Sequence, residues 1–581
     1  MNFPLIHNWL VLPSVLAILA PVWGSVPIGL PPSPVPPVVA ATPSVTAGPT
    51  QPASPPVPAR PNAATSPAAS PVPRPSSAAS TTGTPTASAP WAAVIVRFTS
   101  HDAAVRLQVL SEAAAVAGVT DPRVVRELAT GALLVHATGG TQAYLAALRA
   151  HPGVVAASPN STVTRAATAT DPYFSSQWAL QPSGGGAGFT TVWDRTRGTG
   201  ARVAVIDTGK TNHPDLTGQW LGGYDFVSDP TAARDGNGRD GDPTDMGTYQ
   251  FTGDCPGDPG PHASDWHGTH VAGIIAARRN NGRGIAGAAP DVKVVPVRVL
   301  ARCGGEMADL IDAIVWSAGG KVPGMTANPY PARVINMSLS APGSCSLELQ
   351  RALSMARRLG AVSVVAAGND YGQPAAEYAP GNCSGVVTVA ASTASRTLAK
   401  YSNSGTGVNL AAPGGGEDDD GRGPEILSTV LTDSATNAGG YSYGWMAGTS
   451  MAAPHVAATA ALLLSLKPTL TVRQVEQILT STAVSSSGCA GCGAGILDAA
   501  AAIAQVPVLD AASVSGRQLT VTGSGFSRAT RVGVGTHTLT FTRSGDGTIT
   551  ATIPAGVAVG THAVTVFTDD ISSASRLITV R

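Results

Sequence analysis

The chain has 581 residues, and its 36 Lys and Arg are balanced by 36 Asp and Glu, so its formal net charge is zero. At roughly 150 residues a domain, this length predicts three or four units. Without net charge there is no long-range field to attract nucleic acid or acidic lipid, so neither is expected as a partner. The 66 Gly and 47 Pro exclude a coiled coil or helical solenoid. After the first two dozen residues no apolar run reaches the roughly 18 residues that span a bilayer, which argues against a membrane span.

The first 90 residues predict no folded domain. Residues 9–20 are almost entirely apolar and small residues follow them, so residues 1–24 are interpreted as a signal peptide for secretion. A buried N-terminal helix is the alternative, but Pro13 and Pro21 would break it. Residues 25–90 are mainly Pro, Ala, Ser and Thr, and they bury too little apolar surface to offset their ordering entropy. We interpret them as a disordered linker, with recognition of its Pro clusters as the alternative.

A small α/β unit is predicted over residues 91–166. Strand patterns lie at 93–98, at 131–135 and from 153 onward, and helical patterns lie at 102–117 and 141–149. The predicted order is therefore β-α-β-α-β. This order alone indicates no particular function.

Three side chains suited to acyl transfer lie beside glycine at the ends of predicted elements. Asp207 follows the apolar strand 202–206, His267 opens a helical stretch, and Ser450 precedes the apolar helix 456–466. A serine hydroxyl becomes a good nucleophile when an imidazole takes its proton, and the imidazole needs a carboxylate to orient it. The tetrahedral intermediate also needs hydrogen-bond donors, and the Asn369 amide and the Ser450 backbone N–H are the candidates.

The segments around these residues resemble the motifs of the subtilisin-like serine peptidases, the subtilase family. The matching strings are Ala204-Val205-Ile206-Asp207-Thr208-Gly209, His267-Gly268-Thr269-His270-Val271-Ala272-Gly273, Ala366-Ala367-Gly368-Asn369 and Gly448-Thr449-Ser450-Met451-Ala452-Ala453-Pro454-His455. The resemblance covers residues 171–504. It implies an α/β fold with a mostly parallel sheet and helices on both faces. It also implies a secreted, monomeric serine endopeptidase that acts on proteins or peptides through an Asp207-His267-Ser450 triad and an acyl-enzyme.

Other interpretations of these residues are weaker. Taken singly, an Asp after a strand is usually a turn former and a His on a helix is usually structural. The pair His267 and His270 suggests a metal site, but no HExxH string is present. An α/β-hydrolase would need its serine before its acid and base. The remaining alternative is an exported binding or adhesion protein in which the subtilase-like part is an inactive carrier.

The resemblance implies that an extended substrate adds as a strand between two segments. The substrate-binding residues would be Ser338, Leu339 and Ser340 on one side and Ala366, Ala367 and Gly368 on the other. Ser340 departs from the glycine that is common in the family, so its Cβ is expected to crowd the substrate backbone. The small, uncharged wall argues against a strict preference for a charged P1 residue.

The resemblance also implies structural Ca²⁺ and no organic cofactor. The residues matching the family's strong calcium site are Asp171, Asp215, Arg279, Asn281, Arg283 and Ile285, which would supply side-chain and carbonyl oxygens. The carboxylate-rich loop 235–245 is a second candidate. A solvated acidic loop explains its composition equally well.

Six cysteines, an even number in a chain predicted to be exported, indicate disulfides. Six cysteines allow 15 connectivities. We favour nearest-neighbour pairing, which joins Cys255 to Cys303, Cys345 to Cys383 and Cys489 to Cys492. The last pair has CxxC spacing, so a metal or redox site is the alternative for it.

The segments flanking the peptidase-like region gain meaning from the resemblance. Residues 91–166 resemble the family's propeptide, an intramolecular inhibitor and folding aid whose tail, 158–170, would occupy the cleft until it is cut autocatalytically. A permanent accessory domain is the alternative. In residues 506–581 the apolar period changes to two, which predicts a β-sandwich. Its segment 521–526 is similar to the start of immunoglobulin-like IPT/TIG modules, and its role stays open between surface binding, spacing and removal.

Overall fold

The computed structural model describes residues 91–160, 169–255, 260–416 and 423–581. The predicted signal peptide and linker, residues 1–90, lie outside the described residues. The chain divides after Pro159 into two compact units.

The first unit is a four-stranded antiparallel sheet with two helices. Its elements are β1 (Trp91–Phe98), α1 (Ala103–Ala117), β2 (Thr120–Glu127), β3 (Leu133–Thr138), α2 (Thr141–Ala150) and β4 (Val154–Pro159), and the sheet order is β2-β3-β1-β4. The predicted order β-α-β-α-β was wrong because it omitted β2. That strand lies at the edge of the sheet and is exposed along almost its whole length. Its charged sequence, which contains a proline, therefore has no apolar alternation that predicts a strand.

The second unit begins with an α/β region. Its elements are β5 (Arg202–Asp207), β6 (Tyr224–Asp225), α3 (Pro230–Ala233), α4 (His267–Ala276), β7 (Lys293–Arg298), α5 (Met307–Ser317), β8 (Val334–Met337), β9 (Ala341–Pro342), α6 (Leu347–Arg358), β10 (Val362–Ala366), β11 (Tyr378–Ala379), β12 (Val387–Ser392), β13 (Leu410–Pro413), β14 (Ile426–Leu431), β15 (Tyr441–Met446), α7 (Thr449–Leu466), α8 (Val472–Ser481) and α9 (Ala499–Ile503).

Seven of these strands form one parallel sheet in the order β13-β12-β10-β8-β5-β7-β6. Val203 and Val205 of β5 pack into a core with helices α4 and α7. Ala204 and Ile206 point to the opposite face, where α5 and α6 complete a second core. The strand is apolar at successive positions because both of its faces are covered. The predicted fold class, a mostly parallel sheet with helices on both faces, is confirmed.

Among the described residues, one helix, Thr449–Leu466, is long and apolar enough to cross a membrane. It is the helix at the centre of the first core, and 83% of it is buried inside the protein. Its lack of charge is therefore explained by packing in the interior.

The C-terminal region is a sandwich of two antiparallel sheets. Its strands are β16 (Val508–Ser515), β17 (Gln518–Ser524), β18 (Arg531–Val534), β19 (His537–Leu539), β20 (Phe541–Ser544), β21 (Thr548–Thr552), β22 (Gly560–Thr568), β23 (Ile571–Ser572) and β24 (Arg576–Val580). One sheet has the order β16-β17-β21-β20, and the other has the order β19-β18-β22-β23 with β24 also paired to β22. The predicted β-sandwich is confirmed.

The sandwich is docked on the α/β region. Lys467 donates to the Ser572 carbonyl at 2.5 Å, and Arg195 donates to the Val506 carbonyl. Ile571 joins the apolar core formed around α4 and α7. Polar and apolar contacts therefore join the two parts into one compact unit.

Three disulfides lie in the α/β region. They join Cys255 to Cys303, Cys345 to Cys383 and Cys489 to Cys492, which are the nearest-neighbour pairs favoured by the sequence. They close loops of 48, 38 and 3 residues, respectively.

Candidate active site

The structure brings Asp207 and His267 together at the carboxyl end of strand β5 in the parallel sheet. Asp207 ends β5 and is fully buried, and His267 opens α4. The Nδ1 atom of His267 lies 2.7 Å from Oδ1 of Asp207. Because Nδ1 is occupied by the carboxylate, Nε2 is the ring nitrogen left for a second partner.

The chain enters α4 through a turn that fixes this histidine. Trp266 adopts the left-handed conformation, with φ at 57°. Its buried indole donates to the Asp433 carbonyl at 2.8 Å, and the Asp265 carboxylate accepts from the His267 backbone N–H at 3.2 Å. The Asp265 carboxylate thus pairs with one of the N–H groups that the first helical turn leaves without an intrahelical partner.

The surroundings of His267 favour its charged form. Burial lowers the pKa of the imidazole, but the carboxylates of Asp207, Asp265 and Asp245 together outweigh burial, so the pKa is raised to about 9. A cation at this position is stabilised by carboxylates on several sides. This is the electrostatic condition that a general base needs when it accepts a proton.

Ser450 lies in the first turn of α7, and α7 packs directly against α4. Its Oγ donates to the Ser338 carbonyl at 3.2 Å rather than to His267. The Ser338 hydroxyl in turn donates to the Ser450 carbonyl at 2.7 Å. A hydroxyl of this kind changes partner by rotation about one side-chain bond, and catalytic hydrogen bonds often form only when substrate is bound.

Asn369 follows β10 and faces the start of α7. Its Oδ1 accepts from both the backbone N–H and the hydroxyl of Thr449, at 2.9 and 2.8 Å. This fixes the orientation of the amide, since the oxygen is used and Nδ2 stays available as a donor. A Cβ on Gly448 would lie 3.4 Å from Asn369 Nδ2 and 3.6 Å from the Ser450 nitrogen, so both donors border the same space.

The two segments predicted to bind substrate face each other. Ala366 and Ala367 are buried, and Gly368 has φ at +103°. A Cβ on Gly368 would lie 3.2 Å from the Ser340 hydroxyl, which places the exposed Ser340 directly across the cleft. Ser338 is buried and Leu339 is partly buried on the same side.

The residues predicted for calcium form a carboxylate-amide group. Asp171 accepts from the Asn280 and Asn281 backbone N–H groups, and Asp215 accepts from the Asn281 side chain at 2.6 Å. Burial raises the pKa of Asp215, and the nearby charge of Asp171 raises it further. Ile285 also donates to Asp215 through its backbone, while Arg279 and Arg283 lie on the same loop.

The acidic loop 235–245 does not collect its carboxylates at one point. Asp235 pairs with the buried Arg298 at 3.0 Å, whereas Asp245 accepts from the Thr208 hydroxyl at 2.6 Å. Asp240 accepts from Asn237 within the loop. In the described part of the chain, no group of three or more His, Cys, Asp or Glu side chains is placed to hold a metal. These local partners argue against a cation site in the loop, and the buried Asp245 also distinguishes it from a merely solvated acidic loop.

Several contacts at the site involve residues that the sequence did not single out for this role. The Thr208 hydroxyl connects the buried Asp245 to the Gly268 backbone N–H, beside His267. The buried Asn403 binds the loop that carries Asn369. Thr208 lies inside the string around Asp207, but its type alone does not indicate this contact. Asn403 lies outside the segments that were interpreted chemically, and no spacing or composition distinguishes it. By contrast, His270 and His455 are buried and bonded to backbone carbonyls, as expected for packing residues.

Comparison with known proteins identifies the family. A model of the subtilase family matches residues 198–525, more than half of the chain, and a model of the IPT/TIG domain matches residues 507–580. The chain belongs to the subtilase family.

Individual subtilases resemble this one over much of its length. An extracellular protease of Xanthomonas campestris pv. campestris is 45% identical over 387 residues, which are 65% of each chain. An extracellular basic protease of Dichelobacter nodosus is 44% identical over 58% of this chain and 56% of its own. A solved protease structure from Pseudoalteromonas arctica is 48% identical, with a TM-score of 0.56, and covers 58% of this chain and 99% of its own. The chain thus spans less than two thirds of the length of these two extracellular proteases.

Proposed function

We propose that this subtilase is a secreted serine endopeptidase that hydrolyses peptide bonds of proteins. The observation that carries the proposal is the Asp207–His267 hydrogen bond at 2.7 Å next to the helix whose first turn contains Ser450. The names of the two extracellular proteases and the family match support the same activity.

The chemistry follows from the groups that these side chains leave available, which are the Ser450 hydroxyl, Nε2 of His267 and Nδ2 of Asn369. Ser450 Oγ attacks the substrate carbonyl carbon and its proton passes to Nε2 of His267, whose cation Asp207 stabilises. Asn369 Nδ2 and the Ser450 N–H donate to the oxyanion. Collapse breaks the C–N bond, and the amine leaves with the proton from His267. Water then repeats the sequence on the acyl-enzyme and releases the acid.

The cleft favours a peptide in an extended conformation, and it does not favour a charged P1 side chain. The 338–340 and 366–368 segments would each pair with the substrate backbone, and Ala366, Ala367 and Gly368 leave a small neutral wall. Ser340 narrows the entrance where a glycine would leave it open.

We further propose that the domains follow the predicted boundaries, so that residues 91–166 are an autocatalytically removed propeptide and 171–504 the peptidase domain. Support comes from the compact fold of the first unit, which has its own apolar core and precedes the family match. Most of its predicted tail, 158–170, lies outside the described residues.

The donor set around Asp215 fits Ca²⁺, which prefers carboxylate and amide oxygens. Asp171, Asp215 and Asn281 would hold it together with carbonyls of the 279–285 loop, and it would supply structural cross-linking away from the chemistry. In a Ser450→Ala background, Ca²⁺ should raise the Tm, and Asp215→Asn should remove that increase. Asp240→Asn, in the acidic loop, is the matched control and should retain it.

Mass spectrometry of the purified wild type beside Ser450→Ala, incubated with Ca²⁺, tests the main proposal. We expect only the wild type to lose its N-terminal segment up to residues 160–170, to cut casein and to be labelled by a fluorophosphonate. If both proteins stay intact, unlabelled and inactive, the chain is not an autonomous peptidase. The exported binding protein would then be the better interpretation.

A further inference from the structure

Asn403 lies in the connection between β12 and β13 and is completely buried. Its backbone N–H and both polar atoms of its side-chain amide bind the loop around Asn369, whereas its backbone carbonyl accepts from the Ser402 hydroxyl. Its backbone N–H donates to the Gly368 carbonyl at 2.9 Å, its Nδ2 donates to the Ala367 carbonyl at 3.1 Å, and its Oδ1 accepts from the Asp370 N–H at 2.9 Å. One side chain thus joins both ends of the short segment that contains the oxyanion donor.

The chemistry of these partners requires a carboxamide. The Ala367 carbonyl can only accept and the Asp370 N–H can only donate, so the side chain must present one donor and one acceptor. A carboxylate would place an oxygen against the Ala367 carbonyl, and an apolar side chain would leave two buried backbone groups unpaired. The amide also fills the space above Gly368, where a Cβ would lie 2.4 Å from Asn403 Nδ2.

Asn369 is therefore held from two directions. Thr449 orients its side chain through Oδ1, and Asn403 fixes the backbone on either side of it. The required precision is high, since a donor displaced by about 1 Å loses much of its effect on a transition state.

We propose that Asn403 is the positioning residue of the oxyanion loop, by which we mean residues Ala367–Asp370. It touches no substrate, and it sets the position of Asn369 through the backbone of this loop. This inference rests on the proposed peptidase function and on Asn369 as an oxyanion donor. It predicts a loss in kcat with little change in KM, because the loop acts on the transition state more than on the bound substrate.

The test is a double-mutant cycle of Asn403→Asp and Asn369→Ala in the full chain, matured with Ca²⁺ and assayed on a peptide p-nitroanilide. Alone, Asn403→Asp should lower kcat about 10- to 100-fold and change KM by no more than about twofold. This loss is the range expected when one or two hydrogen bonds to the charged oxyanion are displaced. In the Asn369→Ala background the same change should lower kcat less than about threefold, since there is no donor left to position.

Asn409→Asp is the matched control. It makes the same chemical change in the same connection, where Asn409 Oδ1 accepts from the Thr388 N–H at 2.7 Å and has no bond to the oxyanion loop. It should lower the Tm without lowering kcat. If Asn403→Asp does not fold, Asn403→Ser, which is shorter and reaches only one partner, takes its place in the cycle with a smaller loss.

The outcomes separate this inference from the proposed function. An unchanged kcat in the Asn403 variant, or an equal loss in both backgrounds, overturns the positioning role while Asn369 keeps its own. If Asn369→Ala itself leaves kcat unchanged, the oxyanion assignment fails and the positioning role fails with it.

Discussion

Gly368→Ala is the substitution whose effect on this site can be worked out most directly. The added Cβ would lie 2.4 Å from Asn403 Nδ2, about 1 Å closer than the 3.4 Å at which ordinary contact begins. Asn403 cannot withdraw, because its amide bonds to Ala367 and Asp370 on the same loop. The loop itself must therefore shift by about 1 Å, and a misplacement of that size costs about 100-fold in rate.

The assay is kcat on a peptide p-nitroanilide, with the Tm measured in parallel. Gly372→Ala is the matched control, because Gly372 also has a positive φ, +81°, but an added Cβ there meets nothing within 4 Å. It isolates the cost of the backbone conformation from the cost of the clash. If kcat of Gly368→Ala stays within about threefold of the control, the loop tolerates the added Cβ and the expected shift of about 1 Å is wrong.

Three further predictions concern pH and cross-linking. The rise of kcat/KM with pH should have its midpoint above the ordinary 6.5, because carboxylates raise the pKa of His267, and Asp265→Asn should move it to lower pH. Burial lowers the pKa of His455 to about 4, so stability should fall as the pH drops from 6.5 towards 4, by about 3 kcal/mol for this group. Removing the Cys255–Cys303 disulfide, which closes 48 residues, should lower the free energy of unfolding by about 4 kcal/mol.

Each of these three predictions has a variant of this protein, or a stated result, that would contradict it. For the first, an unchanged midpoint in Asp265→Asn would show that its charge does not reach His267. For the second, His455→Asn in a Ser450→Ala background should flatten the fall in Tm between pH 6.5 and 4; an equal fall in both proteins would contradict it. For the third, removing Cys489–Cys492, which closes only 3 residues, should cost less than about 2 kcal/mol, and the reverse ranking would refute the loop-entropy argument.

The sequence predicts the α/β core well because the apolar pattern of each strand and helix lies within that element. The apolar strand 202–206 is buried on both faces, and an apolar helix follows Ser450, so periodicity and burial agree. Strand β2 was missed for the opposite reason, since it lies at an exposed edge and its pattern is set by pairing with β3 rather than by burial. Its position depends on the rest of the sheet, which a local pattern does not contain.

The same distinction applies within the site. Asp207, His267 and Ser450 lie at the ends of elements with recognisable strings, so their types and order point to acyl transfer. Asn403 lies 34 residues after Asn369, in a connection with no such string, and its role arises only because β10 and β12 are adjacent in the sheet. Residues that position others through the backbone are invisible to motif reasoning, because any polar residue in a loop has the same local appearance.

The proposed nucleophile, Ser450, and the proposed oxyanion donor, Asn369, lie on segments that hold each other in place. Asn369 is oriented by Thr449, the residue before Ser450, and Ser450 is bonded to Ser338 on the facing segment. A change in one of these contacts therefore moves the start of α7 and the oxyanion loop together. This explains why substitutions around this loop should lower kcat in a coupled, non-additive way, while a change of equal chemistry at Asn409 should affect stability alone.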